Sequence, residues 1–210
     1  MEAPQPLRVA IVGVGPKGLY CLERLLARTR AAQPRRPLRV ELFEPTGQFG
    51  AGAVYSVDQE PYLSMNFADP FIDAWPRDLE AAVPPSARLS FAQWLAQAEP
   101  EEGGPRPPRR DGYSPRALVG GYLRWCFASL QAAAPDHASL HLHAARASRI
   151  ERDAGGWRLV AEAADGERQV LFCDEVVLAT GHAPGGSSVT SAFAYPLNGA
   201  LSADRIPPGA

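Results

Sequence analysis

The sequence predicts an α/β fold in three layers, with a parallel sheet in the middle and an antiparallel β-meander beside it. Two observations carry this prediction. The first 44 residues alternate strand, helix and strand, and a later stretch contains three short alternating segments separated by turns that contain glycine. The chain has 210 residues, 46% of them hydrophobic and 21% charged, which is enough for one domain with a full core.

The first unit begins with Leu7 to Val12, a run of aliphatic and β-branched residues that is typical of a buried parallel strand. A helix is expected from about Pro16 to Arg30, because leucines at 19, 22, 25 and 26 share one face. A second strand, Leu38 to Phe43, ends at Glu44. This order of elements predicts a βαβ unit.

The middle of the chain combines irregular and helical segments. Residues 47–78 show no period and are rich in glycine and aromatic residues, which more often indicates a functional loop than an idle one. Ser90 and Gln93 predict a capping box before a short helix. Residues 99–112 have nothing to bury, so we expect a disordered surface loop there.

The second half begins with a long helix, for which Ser114 is the expected N-cap, Pro115 the first helical residue and Ala134 the approximate end. A strand is expected at 140–144. Segments 149–151, 157–163 and 168–173 predict the meander, with turns at 155–156 and 165–166. A last buried strand covers 175–179, and residues 185–210 are expected to form an extended tail after a domain that spans 1–184.

Composition excludes several classes of function. The net charge of -2 gives no support for a nucleic-acid partner. No apolar run approaches the ~20 residues that a membrane helix needs, and the N-terminus lacks the pattern of a signal peptide. Cys21, Cys126 and Cys173 are far apart and form no CxxC pair, so we expect free thiols in a reducing cytoplasm and no metal site.

The strongest functional signal is the loop Gly13-Val-Gly15-Pro16-Lys17-Gly18 between the first strand and helix. In such a loop the first glycine allows the tight turn, the second lets a pyrophosphate approach the backbone, and the third lets helix and strand pack closely. The helix N-terminus then faces the phosphates. The alternative is a structural glycine-rich turn that binds nothing.

An acidic residue at the end of the second strand strengthens this interpretation. Glu44 lies 26 residues past Gly18, and its carboxylate can accept hydrogen bonds from both hydroxyl groups of an adenosine ribose. It would repel a 2′-phosphate, which argues against NADP at this loop. Lys17 could face a phosphate, but a solvated side chain is the favoured alternative for that residue.

Other polar residues give weaker signals. His141 and His143 share a strand face, and without a third ligand an exposed face is favoured over a metal site. His182 is interpreted either as a loop residue or as part of the ligand edge. Arginines 106, 109 and 110 are expected to be solvated. No residue can be assigned as a catalytic acid, base or nucleophile.

Three segments together resemble a known group of proteins. VAIVGVGPKG with ELFE, FGAGAVYS with YLSMNFAD, and VVLATGHAP are similar to FAD/NAD(P)-binding proteins of the two-dinucleotide-binding flavoprotein superfamily, which includes glutathione-reductase-like enzymes and N-hydroxylating monooxygenases. The resemblance covers residues 1–184 and implies a Rossmann-like FAD-binding domain. It implies that Gly13, Gly15, Gly18 and Glu44 hold the FAD pyrophosphate and ribose, that Gly50, Gly52 and Asn66 lie along the flavin, and that Thr180 and Gly181 close the site.

The resemblance also implies an activity: reduction of FAD by NAD(P)H as co-substrate, in an oxidoreductase that could be a monooxygenase acting on a small molecule. Such enzymes continue into a second GxGxxG domain for NAD(P)H, and this chain contains no second GxGxxG. We therefore expect these 210 residues alone to be inactive. Two alternatives stay open at this point, an NAD-binding dehydrogenase domain and a non-catalytic nucleotide-binding module. The substrate and the oligomeric state are not predicted.

Overall fold

Seven strands and three helices build the part of the chain that the computed structural model describes, which is residues 4–32, 36–97 and 112–181. In chain order they are β1 (Leu7–Val12), α1 (Pro16–Ala32), β2 (Leu38–Phe43), α2 (Phe91–Gln97), α3 (Arg116–Ala132), β3 (Ala138–His143), β4 (Ala145–Asp153), β5 (Gly156–Ala163), β6 (Arg168–Cys173) and β7 (Glu175–Leu178). Two short 3-10 helices, Asp69–Phe71 and Pro85–Ala87, interrupt the irregular segment before α2.

Four strands form a parallel sheet in the order β3-β2-β1-β7. β1 lies inside this sheet, where Val9 is aligned with Val40 of β2 on one side and with Glu175 of β7 on the other. The carboxyl ends of β1 and β2 therefore meet at one edge, which is where ligands bind in open α/β sheets. The predicted βαβ unit and parallel sheet are confirmed.

The two faces of the sheet bury different cores. Residues at alternate positions of β1, such as Val9 and Ile11, pack in one core with the leucines of α1 and the apolar stripe of α3. Their neighbours Ala10 and Val12 pack in a second core with residues of the meander. This arrangement is the three-layer order of helices, sheet and meander that the sequence predicts.

The meander is a three-stranded antiparallel sheet in the order β4-β5-β6. β5 and β6 begin within one residue of their predicted starts. β4 is much longer than the predicted 149–151, because it pairs with β5 from Ala145 to Asp153 through a bulge between Ala147 and Arg149. Its side chains are largely polar and exposed, so its own sequence carried little sign of its length.

The start of α3 differs from the prediction by one position, and the reason is a contact far away in the sequence. Pro115 is the N-cap, without a side-chain hydrogen bond. Ser114 donates its backbone N–H and its hydroxyl to the buried carboxylate of Asp69, at 2.9 Å each. In contrast, the predicted capping box of α2 is confirmed, because Ser90 N–H donates to Gln93 Oε1 at 2.9 Å and Gln93 N–H donates to Ser90 Oγ at 3.3 Å.

Several predictions lie outside the described residues: residues 99–111 of the loop predicted at 99–112, the three arginines within it, His182 and the tail at 185–210. The compact unit described above ends at Ala179, and Thr180 begins a second unit. Among the described helices, none combines the length and the apolar character needed to cross a membrane.

Candidate functional site

The glycine loop forms a tight turn between β1 and α1, as predicted. Gly13 has a φ of 90°, a left-handed conformation that favours glycine, and its N–H donates to Phe43 O at 2.9 Å. A Cβ added at Gly18 would lie 2.0 Å from Gly13 O, so only glycine lets the helix approach the strand this closely. The roles predicted for the first and third glycines are thus accounted for by the fold itself.

Gly15 behaves differently from the other two glycines of the loop. A Cβ added there would come no closer than 3.7 Å to another part of the chain, at Ala51 O and Gly52 Cα. Gly15 is also not among the glycines with a positive φ. The packing of the protein therefore does not require glycine at this position, whereas a pyrophosphate close to the backbone would.

The start of α1 has free backbone N–H donors and no acidic side chain that would compete with a ligand for them. Pro16 has no N–H, and the first intrahelical-type bond runs from Leu19 N–H to Gly15 O at 2.9 Å. By the geometry of a helix start, the N–H groups of Lys17 and Gly18 lack intrahelical acceptors. The first turn contains no acidic residue. This helix end therefore suits an anion.

Lys17 is exposed and lines a shallow groove of ≈ 450 Å³ with Pro16, Tyr20, Cys21, Leu178 and Ala179. Among the described residues it takes part in none of the ion pairs. The favoured expectation of a solvated side chain agrees with this exposure, and a contact with phosphate stays a prediction.

Glu44 is the acidic residue that the structure brings to the glycine loop. It is buried, with 5% of its surface exposed, and its Oε2 accepts a hydrogen bond from Val14 N–H at 3.1 Å. Its Oε1 accepts bonds from the backbone N–H of Thr46 at 3.3 Å and from the Thr46 hydroxyl at 2.9 Å. An ionised carboxylate offers about four acceptor positions, so capacity remains for a ribose hydroxyl.

The segment around Gly50 and Gly52 lies against the same loop. Gly50 N–H donates to Val14 O at 2.6 Å, and a Cβ added at Gly52 would lie 3.0 Å from Gly15 Cα and 3.6 Å from Glu44 Oε2. Gly52 thus borders both parts of the expected nucleotide site. Gly50 has a separate structural reason to be glycine, since a Cβ there would lie 2.4 Å from Leu123 O of α3.

Asn66, which the resemblance places along the flavin, is exposed. Ser64 pairs with Pro115 in an isolated antiparallel bridge, and Met65 N–H donates to Ser114 O at 2.9 Å. Met65 is buried in the core that contains the leucines of α1 and the apolar stripe of α3. Asn66 follows it on the opposite side of this extended segment. Among the described residues, the Asn66 side chain forms no hydrogen bond, and its role beside a flavin stays a prediction.

Thr180 and Gly181 follow the last pairing of β7, in which Ala179 N–H donates to Val12 O at 2.8 Å. Gly181 has a φ of 72°. Both residues belong to the second unit, and their role in closing the site stays a prediction.

Two polar residues near the loop were not found from the sequence. Thr46 supplies two of the three hydrogen-bond donors to the Glu44 carboxylate. A threonine two residues after an acid is a local pattern from which this contact could have been predicted. Gln48 organises the following turn, because its side chain bonds Ser56 Oγ, Asp58 Oδ2 and Val57 N–H at 2.9–3.0 Å. No local pattern indicates the contacts of Gln48, since its partners lie eight to ten residues away.

His143 does not have the exposed environment expected for the two histidines on β3. The His143 side chain is 16% exposed, and its Nε2 lies 2.7 Å from Oε2 of the buried Glu41. Burial alone would raise the pKa of Glu41, but hydrogen bonds and charges from His143 and Arg39 lower it to about 2. Within 4–32, 36–97 and 112–181, no three His, Cys, Asp or Glu side chains are grouped to hold a metal ion.

Comparison with known proteins agrees with this geometry. The sequence profile of the FAD-NAD(P)-binding proteins matches residues 10–183. The chain is 32% identical over 208 residues to an L-aspartate N-monooxygenase (nitrosuccinate-forming) of Streptomyces davaonensis, covering 84% of this chain and 29% of that protein. It is 33% identical over 178 residues to the nitrosuccinic acid synthase of Aspergillus oryzae, covering 84% of this chain and 26% of that one. The chain thus spans less than a third of these relatives.

Solved structures support the fold. Ornithine hydroxylase from Pseudomonas aeruginosa matches with a TM-score of 0.51 at 20% identity, over 89% of this chain and 41% of that one. Bacillithiol disulfide reductase from Bacillus cereus matches with a TM-score of 0.50 at 12% identity, over 84% and 40%. The predicted Rossmann-like fold and the predicted resemblance are confirmed. With its profile match across most of its length, the chain belongs to the FAD-NAD(P)-binding family.

Proposed function

We propose that this chain is the FAD-binding portion of an FAD-dependent N-monooxygenase that uses NAD(P)H as co-substrate. The observation that carries the proposal is Gly15, a glycine whose surroundings leave space for a Cβ, whereas Gly18 has no such space and Gly13 needs its positive φ. Gly15 stands between Pro16, where α1 begins, and Val14, whose N–H binds the buried carboxylate of Glu44, and a dinucleotide would need both of these neighbours.

The residues of the chain would bind and orient the cofactor. The N–H groups of Lys17 and Gly18 would donate to the pyrophosphate, and Glu44 would accept a bond from the ribose. Thr46 and the Val14 N–H hold that carboxylate in place before a ligand arrives, which reduces the entropy lost on binding. Bound FAD supplies the redox chemistry that no side chain can provide.

The substrate class is proposed from the relatives. One is named an L-aspartate N-monooxygenase (nitrosuccinate-forming) and the other a nitrosuccinic acid synthase, so we propose the amine of a small acidic amino acid as the group that the whole protein oxidises. We also propose a cytoplasmic location and no nucleic-acid partner. Three free cysteines and a net charge of -2 support these two points.

Titration of the purified chain with FAD, NAD and NADP tests the cofactor. We expect the tightest binding for FAD. The reason is that the chain combines the glycine loop with a meander and with a strand, β7, that is followed by the small residues Ala179, Thr180 and Gly181. Tighter binding of NAD would favour a dehydrogenase domain, and no binding of any dinucleotide would contradict the proposal.

Glu44→Gln tests the ribose contact. Loss of a charge-assisted hydrogen bond costs about 1.5–3 kcal/mol, so FAD should bind about 10- to 150-fold more weakly. Glu167→Gln, at an exposed position in the β5–β6 turn, is the matched control and should bind FAD as the unmodified chain does. Equal affinity of the Glu44 variant would show that the ribose does not lie at this carboxylate.

Turnover is proposed to need the portion of the relatives that this chain does not match. The 210-residue chain with added FAD should consume NADPH no faster than free FAD does. A longer form of the protein that includes a second GxGxxG should consume NADPH, and L-aspartate should increase its formation of oxidised amine. If the 210-residue chain itself consumed NADPH faster than free FAD does, turnover would not need the additional portion.

A further inference from the structure

Four side chains beneath the end of β2 form a continuous polar cluster between the parallel sheet and the meander. Glu41 has 1% of its side chain exposed and accepts a hydrogen bond from Arg39 Nε at 2.5 Å. His143 Nε2 lies 2.7 Å from the other carboxylate oxygen of Glu41, and Gln169 Nε2 lies 3.0 Å from His143 Nδ1. We call Arg39, Glu41, His143 and Gln169 the His143 cluster.

The donors and acceptors of the His143 cluster fix the imidazole ring. A carboxylate with Arg39 beside it only accepts, so His143 Nε2 carries the hydrogen that it donates to Glu41. His143 Nδ1 is then free to accept a hydrogen from the Gln169 amide. The ring is therefore held on both edges, by β2 of the sheet and by β6 of the meander.

His143 also reaches the end of β2, where Glu44 begins. Its ring stacks on Phe43 with centroids 4.5 Å apart and planes 12° apart, and its backbone C=O accepts the Glu44 N–H at 3.1 Å. Phe43 O in turn accepts the Gly13 N–H at 2.9 Å. One residue thus contacts the strand end that positions both the acid and the first glycine of the loop.

We propose that His143 is a positioning residue for nucleotide binding: its ring clamps Phe43, and this contact fixes the strand end whose next residue, Glu44, would bind the ribose of FAD. This inference rests on the proposed function for its ligand, but the clamp itself is a property of the chain without ligand. The Glu41 and Gln169 contacts keep the ring from rotating away from Phe43.

Two variants separate the parts of the clamp. His143→Phe keeps an aromatic ring on Phe43 and removes both side-chain hydrogen bonds. His143→Gln keeps a donor that can reach Glu41 and removes the stack. Residues in contact through a shared network are coupled, and this coupling is measured by a double-mutant cycle with Glu44→Gln.

FAD binding gives the first readout. We expect His143→Phe to weaken FAD binding about tenfold in the unmodified chain and less than about twofold in the Glu44→Gln background. His143→Gln, which also removes the stack on Phe43, should weaken FAD binding at least as much as His143→Phe does. FMN, which lacks the adenosine half, should bind all forms equally. The same loss in both backgrounds, or equal losses for FMN and FAD, would overturn the proposal, because a general structural defect predicts both.

Amide hydrogen exchange without ligand gives the second readout. His143→Phe should speed exchange of the Glu44 and Val14 amides, while the Leu159 amide in the meander core stays protected. If the unmodified chain does not bind FAD, the proposed function fails, and faster exchange at Glu44 still supports the clamp. Unchanged exchange at Glu44 overturns the clamp whatever the chain binds.

Discussion

Gly15→Ala and Gly18→Ala form a matched pair that should separate binding from folding. Both changes add one methyl group to the same turn. At Gly18 the new Cβ would lie 2.0 Å from Gly13 O, and side-chain contacts at such a distance essentially do not occur, so α1 must move away from β1 by about 1 Å. At Gly15 the nearest atoms of the chain lie 3.7 Å away, which is an ordinary contact.

The magnitudes follow from these distances. An approach of 2.0 Å to backbone lies at the upper end of overpacking, about 2–3 kcal/mol, and alanine in place of glycine in a helix returns up to about 1 kcal/mol, which leaves a net loss of about 1–3 kcal/mol. For a chain of this size we expect Gly18→Ala to lower the melting temperature by about 2–12 °C. Gly15→Ala should change stability by less than about 0.5 kcal/mol but weaken FAD binding by about tenfold or more, because its methyl group occupies the space proposed for the pyrophosphate.

Thermal unfolding and flavin fluorescence titration measure the two effects on the same samples. Normal FAD affinity in Gly15→Ala would refute the placement of the pyrophosphate at this turn. A Gly18→Ala protein as stable as the unmodified chain would refute the close approach of strand and helix from which both magnitudes are derived.

Two further predictions concern titration and reactivity. Glu41 has a pKa of about 2 in the fold against an ordinary value of 4.5, so its charge stabilises the fold above pH 4.5 and this contribution, roughly 3 kcal/mol, is lost as the pH falls toward 2. Denaturant unfolding between pH 5 and pH 2 should therefore show a shallower loss of stability for Glu41→Gln, and identical slopes would contradict the lowered pKa. Burial raises the pKa of the Cys126 thiol strongly and that of Cys173 to about 11, so a thiol reagent should label only Cys21 in the folded chain and all three cysteines after unfolding. Rapid labelling of two or three thiols in the folded chain would show that these cores open.

The sequence was most informative where local pattern and burial coincide. β1 and β2 begin and end at the predicted residues, because most of their residues are buried on both faces and a proline, Pro6 or Pro37, precedes each strand. The approach of Glu44 to the glycine loop was also predictable, since neighbouring parallel strands end at the same edge of a sheet.

Contacts between distant parts of the chain limited the remaining predictions. Ser114 was expected to cap α3 and instead bonds Asp69, which lies 45 residues away. His143 was interpreted as exposed because its partner Glu41 is 102 residues away in the sequence. Gly50 was assigned to the flavin by resemblance, whereas its approach to Leu123 O depends on how α3 packs. No local pattern encodes such pairs.

The position of β1 inside the sheet has a consequence for how the chain is made. One edge of β1 can pair with β2 as soon as residue 43 is available, but its other edge waits for β7, and the Arg8 N–H waits for Asp174, 166 residues later. At ribosomal speeds of ~5–20 residues per second this delay is on the order of ten seconds. During that time an apolar, β-prone strand exposes unpaired backbone groups, which is a template for aggregation. Recovery of folded protein should therefore depend on chaperones that cover this edge until residue 178 has been synthesised.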